Sequence, residues 1–436
     1  MGHLVGKDLF QELGKKIDGL EMRTPWNDRL YAVLKELYAP EEAELVIKMP
    51  YGLSTLERLE KVTGHGRAEL QRILESLTVK GLVMDLCIRD TYRYAPSPFI
   101  IGIFEFTMMR MGPDARPSEW AKLLHDYMDR EFAAANLGHG ERHSTFRALP
   151  HEGTVASSEH AEILDHEKAS ALLAREKRFS IGICSCRHEK HHLGKKKCDI
   201  PLETCTQFGL AADFMIRNKL AREVTRAEVE EVFALSRAKG LVLVADNVKV
   251  NMRFVCHCCS CCCNLMRMIN EFGYPNLVVT SSYIAEIDAK ECSGCEQCVE
   301  ACPVRAISVK PAANHAGGGA TPPPKVDEAL CLGCGVCALG CTTGACALKK
   351  RGQRVIHPET TFERLMLQCL EQGTLQNQIF DDPGRIDHKF MRAFVGAFLR
   401  MPRVKQALLG DELRSRFLGA MKSGVKMKGK GFVLEV

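Results

Sequence analysis

Between residues 27 and 96 the apolar positions first recur at helical spacing and then alternate. In NDRLYAVLKELY, Leu30, Val33, Leu34 and Leu37 fall three or four apart, which predicts a helix. STLERLEKVTG opens on Ser54 as an N-cap and closes at Gly64. GRAELQRILESLTVKGLV sets Leu70, Ile73, Leu74 and Leu77 on one face of a further helix. LVMDLCIRDTYRYAP alternates as two short strands around a polar turn at Asp90. Helices followed by a β-wing is the order of a helix-turn-helix variant, a winged helix, with Cys87 expected to be buried in the wing.

Residues 99–180 read as mostly helical, in SEWAKLLHDYMDREFAAA and HEKASALLAREK. A polar stretch between them carries His139, His143, His151 and His160, expected to be solvated loop histidines. RFSIGICSC predicts a strand running into two cysteines. TRAEVEEVFALSRAKGLVLVADN predicts a helix capped by Thr225, closed by Gly240 and followed by a buried strand. PAANHAGGGATPPPK is a linker by composition, and the chain is helical again from 358. The pattern gives an α+β multidomain chain. A winged-helix-like region spans 1–98, and a mixed, cysteine-rich central module 99–282. A second cysteine-bearing domain covers 283–350, and a helical, basic C-terminal region 351–436.

Composition changes this picture in one respect. The charge of +5 is too small to imply a polyanionic partner, but 21 of the 436 residues are cysteine. Ten lie between Cys184 and Cys263 and nine between Cys292 and Cys346; Cys87 and Cys369 stand apart, Cys369 as a simple buried thiol. The N-terminus has no apolar signal region, and no stretch is long enough to span a membrane, so a cytoplasmic, reducing location is expected. There, cysteines read as metal ligands.

CSGCEQCVEACP (292–303) and CLGCGVCALGC (331–341) both read C-x2-C-x2-C-x3-C. Three cysteines at this spacing wrap three corners of a cubane, and the fourth reaches the neighbouring cluster. Cys292, Cys295, Cys298 and Cys341 are therefore expected to bind one [4Fe–4S] cluster, and Cys331, Cys334, Cys337 and Cys302 a second. Gly294, Gly333 and Gly335 permit the tight loops, and Pro303 ends the first run. Cys346 reads as a core position.

GICSCRHEKHHLGKKKCDIPLETCTQF supplies Cys184, Cys186, Cys198 and Cys205, enough for one cubane or one zinc ion. Its His188, His191 and His192 read as part of a basic loop. RFVCHCCSCCCNL then crowds Cys256, Cys258, Cys259, Cys261, Cys262 and Cys263 into eight positions. Thiolates that close repel one another unless metal neutralises them. Ten thiols serve one or two further iron–sulfur clusters; their pairing stays open at this level.

Residues 283–350 resemble the two-cluster bacterial-type ferredoxin domain. Most of 165–350 is similar to a group of multi-cluster ferredoxin-like proteins of anaerobic bacteria and archaea, in which a helix-turn-helix-like region precedes the cysteine-rich module. The resemblance implies [4Fe–4S] binding and electron transfer, but no reaction and no catalytic residue. The expected function is an electron carrier or an electron-delivering subunit of an anaerobic oxidoreductase, with a redox protein as partner. One alternative is a redox- or iron-sensing winged-helix regulator. DNA is disfavoured as a partner, because the recognition-helix cations Arg67, Arg72 and Lys80 are balanced by Glu69 and Glu75. Another alternative is an oxidoreductase with its active site at the central cluster. In HKFMRAFVGAFLRMP, Phe390, Met391, Phe394, Val395, Phe398 and Leu399 share one face, and residues 385–430 hold twelve Lys/Arg against three Asp/Glu. Such a helix either packs on the body, the reading preferred here, or touches an anionic membrane surface.

Overall fold

The computed structural model describes residues 2–136, 143–156, 166–273, 275–309, 323–353 and 355–435. His139 and His160 lie outside them. The chain is mixed α and β. At the N-terminal end, helices Gly2–Asp18, Asp28–Leu37, Pro40–Lys48, Leu56–Thr63 and Arg67–Val79 surround a small antiparallel sheet. Its strands are β1 (Ser54–Thr55), β2 (Val83–Ile88) and β3 (Thr91–Pro96), in the order β1-β3-β2. Leu30, Val33, Leu34, Leu37, Leu70, Ile73, Leu74 and Leu77 are all buried in this part of the core. Thr55, rather than Ser54, caps the fourth helix, accepting from the Arg58 N–H. Cys87 is half-buried rather than buried, because it lies on an alternating strand close to the hairpin turn.

The centre is a seven-stranded sheet. Its strands are β4 (Phe146–Leu149), β5 (Phe179–Ile183), β6 (Glu203–Phe208), β7 (Ala221–Glu223), β8 (Val242–Asp246), β9 (Phe254–Cys258) and β10 (Val278–Val279), in the order β10-β4-β8-β9-β6-β5-β7. Every pairing is antiparallel except β10 with β4. The period of two sorts residues onto the two faces. Leu243, Ala245 and Val255 pack under helices Ala169–Arg175 and Arg226–Ala238. Val242, Val244, Phe254 and Cys258 face the N-terminal helices. Strand β4 lies inside the polar stretch that sequence pattern reads as loop. All four of its residues are buried, so it shows no alternation to reveal it.

Strands β11 (Tyr283–Ile287), β12 (Ile307–Ser308), β13 (Lys325–Val326) and β14 (Cys346–Lys350) form two antiparallel pairs, β11 with β14 and β12 with β13. Each cysteine run leads into a short helix, Gln297–Ala301 and Val336–Leu339. The C-terminal helices Thr361–Gln372, Leu375–Ile379, Ile386–Leu399, Pro402–Leu409 and Asp411–Met427 have their own small core around Phe362, Met366, Leu370 and Leu399. The reading in which the aromatic helix packs its face on the body holds for part of that face. Val395 and Leu399 pack on the C-terminal core, whereas Ile386, Phe390, Phe394 and Phe398 are each more than half exposed. No helix among the described residues is long and apolar enough to cross a membrane.

Candidate metal centre

The antiparallel neighbours β5, β6 and β9 bring the central cysteines together. Gly182 pairs with Cys205, and Thr206 with Val255, so the thiols that follow β5 meet those of β6 and β9. On β9, Cys256 and Cys258 share a face and His257 points to the other. A one-residue slip would exchange them. The chain then turns. The Cys263 N–H donates to the Cys259 carbonyl at 3.2 Å, and Cys263 caps helix Asn264–Phe272.

This turn divides the crowded run. Cys256, Cys258 and Cys263 line a cavity of about 70 Å³ together with Cys184, Cys186 and Cys205; Cys259 lines it as well. The rest of the lining is largely apolar, including Ile101, Phe104, Phe132 and Met268. Cys259, Cys261 and Cys262 instead meet Cys198, with all four sulfurs within 4.8 Å of one another. Cys198 is thus separated from Cys184, Cys186 and Cys205, the three cysteines nearest to it in sequence.

The chamber suits an anionic metal cluster. Cys184 and Cys263 cap helices Ser185–His192 and Asn264–Phe272, whose N-terminal N–H groups favour negative charge. Arg187 is fully buried and donates to the Thr204 hydroxyl and the His257 carbonyl. Burial works against its charge, but Cys184, Cys259 and Cys258 more than offset this and raise its pKa. Burial pushes the Cys184 thiol up to about 12, so bound metal is what would hold such a group as thiolate. Gln207 donates to the Cys205 sulfur at 3.0 Å.

Buried polar side chains hold the two capped helices together. Lys190 donates to Glu189 at 2.9 Å and to Asn264 at 2.8 Å, and Asn264 donates to Glu189 at 2.7 Å. His188, His191 and His192 stand on helix Ser185–His192, not in a loop. His188 is buried against the Met108 carbonyl at 2.6 Å, and His191 is exposed. His257 lies between the Ser236 hydroxyl at 2.6 Å and the Thr206 hydroxyl at 3.2 Å, and burial lowers its pKa to about 3. His188, His192 and His257 are engaged with protein atoms, His192 with the Ser118 hydroxyl at 3.0 Å.

A second cavity, of about 280 Å³, shares Ile101, Glu105, Cys205 and Cys256 with the chamber. Burial pushes the Glu105 carboxyl up to about 8, although the Gly102 N–H donates to it at 3.0 Å. Arg253 also lines this space, and its Nη2 is buried with no hydrogen-bond acceptor among the described residues. Neither residue stands out in the sequence.

In the 283–350 segment, a small cavity is lined by Cys302, Cys331, Cys334 and Cys337. Cys298 lies among the charges of Cys337, Cys292 and Cys341. Cys295 is exposed. The Ala306 N–H donates to Cys302 at 3.1 Å and the Cys346 N–H to Cys341 at 3.3 Å, the kind of bond that tunes cluster potentials. Cys346 is buried beside Cys337. Gly294 and Gly333 both have positive φ, 74° and 65°. Gly335 has φ 82°, and its counterpart in the first run, Glu296, adopts 58° at an exposed site. A Cβ on Gly335 would lie 2.1 Å from the Thr154 hydroxyl, whereas Glu296 has open solvent.

That contact belongs to a junction with the central sheet. The His151 N–H donates to the Cys334 carbonyl at 3.0 Å, its ring meets the Leu241 carbonyl at 2.8 Å, and Val155 bridges to Leu348. His151 is therefore buried, not a solvated loop histidine; His143 is half-buried. Pro303 is buried, and its carbonyl accepts from Asn270 at 2.9 Å.

A family model described as a 4Fe-4S dicluster domain matches residues 291–345. No curated protein and no solved structure matches the chain. The matched domain and the clustered thiols mark this as an iron–sulfur protein, and electron transfer is the chemistry they suggest.

Proposed function

We propose that the chain is an electron carrier, or the electron-delivering subunit of an oxidoreductase, that links a two-cluster ferredoxin unit to a further cluster in the six-thiol chamber. The observation that carries this reading is the junction at Cys334, where His151 and Thr154 press one ferredoxin loop onto the sheet that bears the central thiols. The clusters, when bound, supply reversible one-electron storage. The chain holds them apart from water, offsets their charge with Arg187 and helix N-termini, and donates N–H groups to their sulfurs. Cys295, exposed at the opposite run, offers the accessible end to a redox partner. Iron and sulfide analysis with low-temperature electron paramagnetic resonance of anaerobically purified protein tests this. About twelve irons per chain are expected, with interacting reduced clusters; about eight would confine the iron to the ferredoxin unit and defeat the proposal for the chamber.

A second reading, an active site at the central cluster, is favoured by the 280 Å³ cavity beside Cys205 and Cys256. Its apolar wall, the half-buried Glu105 and the unpartnered Arg253 Nη2 suit a small apolar carboxylate. Titration with aromatic and aliphatic carboxylates should then perturb the central cluster's spectrum and leave the ferredoxin signals alone. A spectrum indifferent to all of them sinks this reading.

A regulator is less well supported. Arg67 is held by Glu60 and Glu57, Arg72 by Glu41, and Lys80 by Glu42. Cations engaged in this way leave little free positive surface for phosphates. The exposed stripe Ile386, Phe390, Phe394 and Phe398, in a region rich in Lys and Arg, instead suits an anionic bilayer surface. Co-sedimentation with vesicles containing anionic lipid, and its absence with neutral lipid, is the expected result.

A further inference from the structure

We propose that Cys198, Cys259, Cys261 and Cys262 form a closed site for one tetrahedral metal ion, distinct from the iron–sulfur ligands of the adjoining chamber. This goes beyond the electron-transfer reading and does not depend on it.

The sulfur spacings carry the argument. Cys198 lies 3.8 Å from Cys259 and 3.8 Å from Cys262, and Cys261 lies 3.7 Å from Cys259 and 3.5 Å from Cys262. The remaining pairs are within 4.8 Å. Four thiolates around one ion at a metal–sulfur distance of about 2.3 Å stand about 3.8 Å apart. Thiolates on the four corners of a cubane stand much further apart, at about 6 Å. This quartet is too tight for a cluster and matches a single ion.

The chemistry and surroundings agree. A tetrahedral all-sulfur set selects zinc or mononuclear iron, in either case one thiophilic divalent ion. Cys259 and Cys262 are buried, and Ile200 and Leu241 pack around the group, so four ligands leave no open position. Four thiolates on a divalent ion leave net negative charge. The Arg187 guanidinium beside Cys259 offsets it, and Lys196 donates to the Cys198 carbonyl. The site ties the 195–200 loop to the turn after β9, against Leu241, whose carbonyl meets the His151 ring. It also accounts for the surplus in the crowded run: three of those six thiols serve a separate ion.

The test uses the full chain purified anaerobically, with zinc, iron and inorganic sulfide measured in wild type, Cys198→Ser, Cys261→Ser and Cys184→Ser. Cys198→Ser and Cys261→Ser should each lose about one equivalent of a single metal with sulfide unchanged. Loss of zinc identifies a structural ion, and loss of one iron a mononuclear redox ion. Cys184→Ser should lose iron and sulfide together and keep that ion. If Cys198→Ser loses sulfide along with iron, or loses no metal, the proposal fails. X-ray absorption at the zinc edge and Mössbauer spectroscopy of the iron, both on the wild type, guard against a variant that does not fold. Four sulfurs without a metal neighbour at zinc, or one isolated tetrathiolate iron resolved from the cluster irons, is expected, and the absence of both overturns the assignment.

Discussion

The His151 backbone N–H reaches the Cys334 carbonyl at 3.0 Å while the His151 ring meets the Leu241 carbonyl at 2.8 Å. One residue thus touches both the ferredoxin loop and the central sheet. His151→Phe keeps the bulk and removes the ring bond. A stability loss of about 1 kcal/mol is expected, as for a buried hydrogen bond whose acceptor is left unpaired. Iron content should stay the same, and electron exchange between the ferredoxin unit and the central module should slow. Rapid-freeze spectroscopy after partial reduction measures this, and an unchanged exchange rate would remove His151 from the path.

The two ferredoxin loops should respond oppositely to mutation at equivalent positions. Gly335→Ala puts a methyl group against Thr154 at positive φ and should cost about 1–3 kcal/mol. Glu296→Gly relieves a left-handed non-glycine residue at an exposed site and should be neutral or slightly stabilising. Anaerobic denaturant unfolding compares them; equal effects would contradict the asymmetric packing described above.

Asn264→Ala removes one corner of the buried Glu189–Lys190–Asn264 group. Removing its hydrogen bonds to the buried charges should cost about 2 kcal/mol. If the chamber holds metal as proposed, that metal should be lost more readily than the ferredoxin iron, because Asn264 follows Cys263, which lines the chamber. Iron release to a chelator, followed at the two sets of signals, reads the difference; equal release from both would count against it.

Acid should loosen the contact between the N-terminal module and the C-terminal helices. Arg58 donates to Asp381 through two bonds of 2.9 Å, and Lys430 adds one of 2.6 Å. Burial opposes ionisation of Asp381, but Arg58 and Lys430 outweigh it and hold the carboxyl below its ordinary value. The folded state therefore binds this proton less readily than the unfolded state. The stabilisation is complete above the ordinary aspartate pKa of about 4 and is lost as pH falls through the folded value. Asp381→Asn should cost about 3 kcal/mol at pH 7 and flatten the acid limb of the stability curve. An acid limb of unchanged slope would assign that limb to other groups.

The ferredoxin unit was legible in the sequence because its cysteine pattern is local, two runs that each hold three cysteines at x2 spacing and a fourth one turn later. The central cysteines were visible as residues, but their grouping was not. It depends on β6 pairing with β9 across about fifty residues and on which way the chain turns after Cys258. Both are tertiary facts that leave no trace in spacing. Strand β4 and His151 were missed for a related reason, since a short strand buried on both faces has no period, and a histidine among polar neighbours looks solvated. The helical face at Phe390, Phe394 and Phe398 was readable; whether anything covers it was not.

The pairing of β6 with β9 also bears on how the protein is made. Neither stretch of central cysteines holds either ligand set alone: Cys198 needs the turn after β9, and Cys256, Cys258 and Cys263 need Cys184, Cys186 and Cys205. On a growing chain the quartet stays incomplete until Cys262 has emerged and the chamber set until Cys263, and both need the sheet to close. The ferredoxin ligands are drawn from a shorter span, Cys292 to Cys341. If the central sets bind metal as proposed, loading them requires the sheet to bring two distant cysteine stretches together.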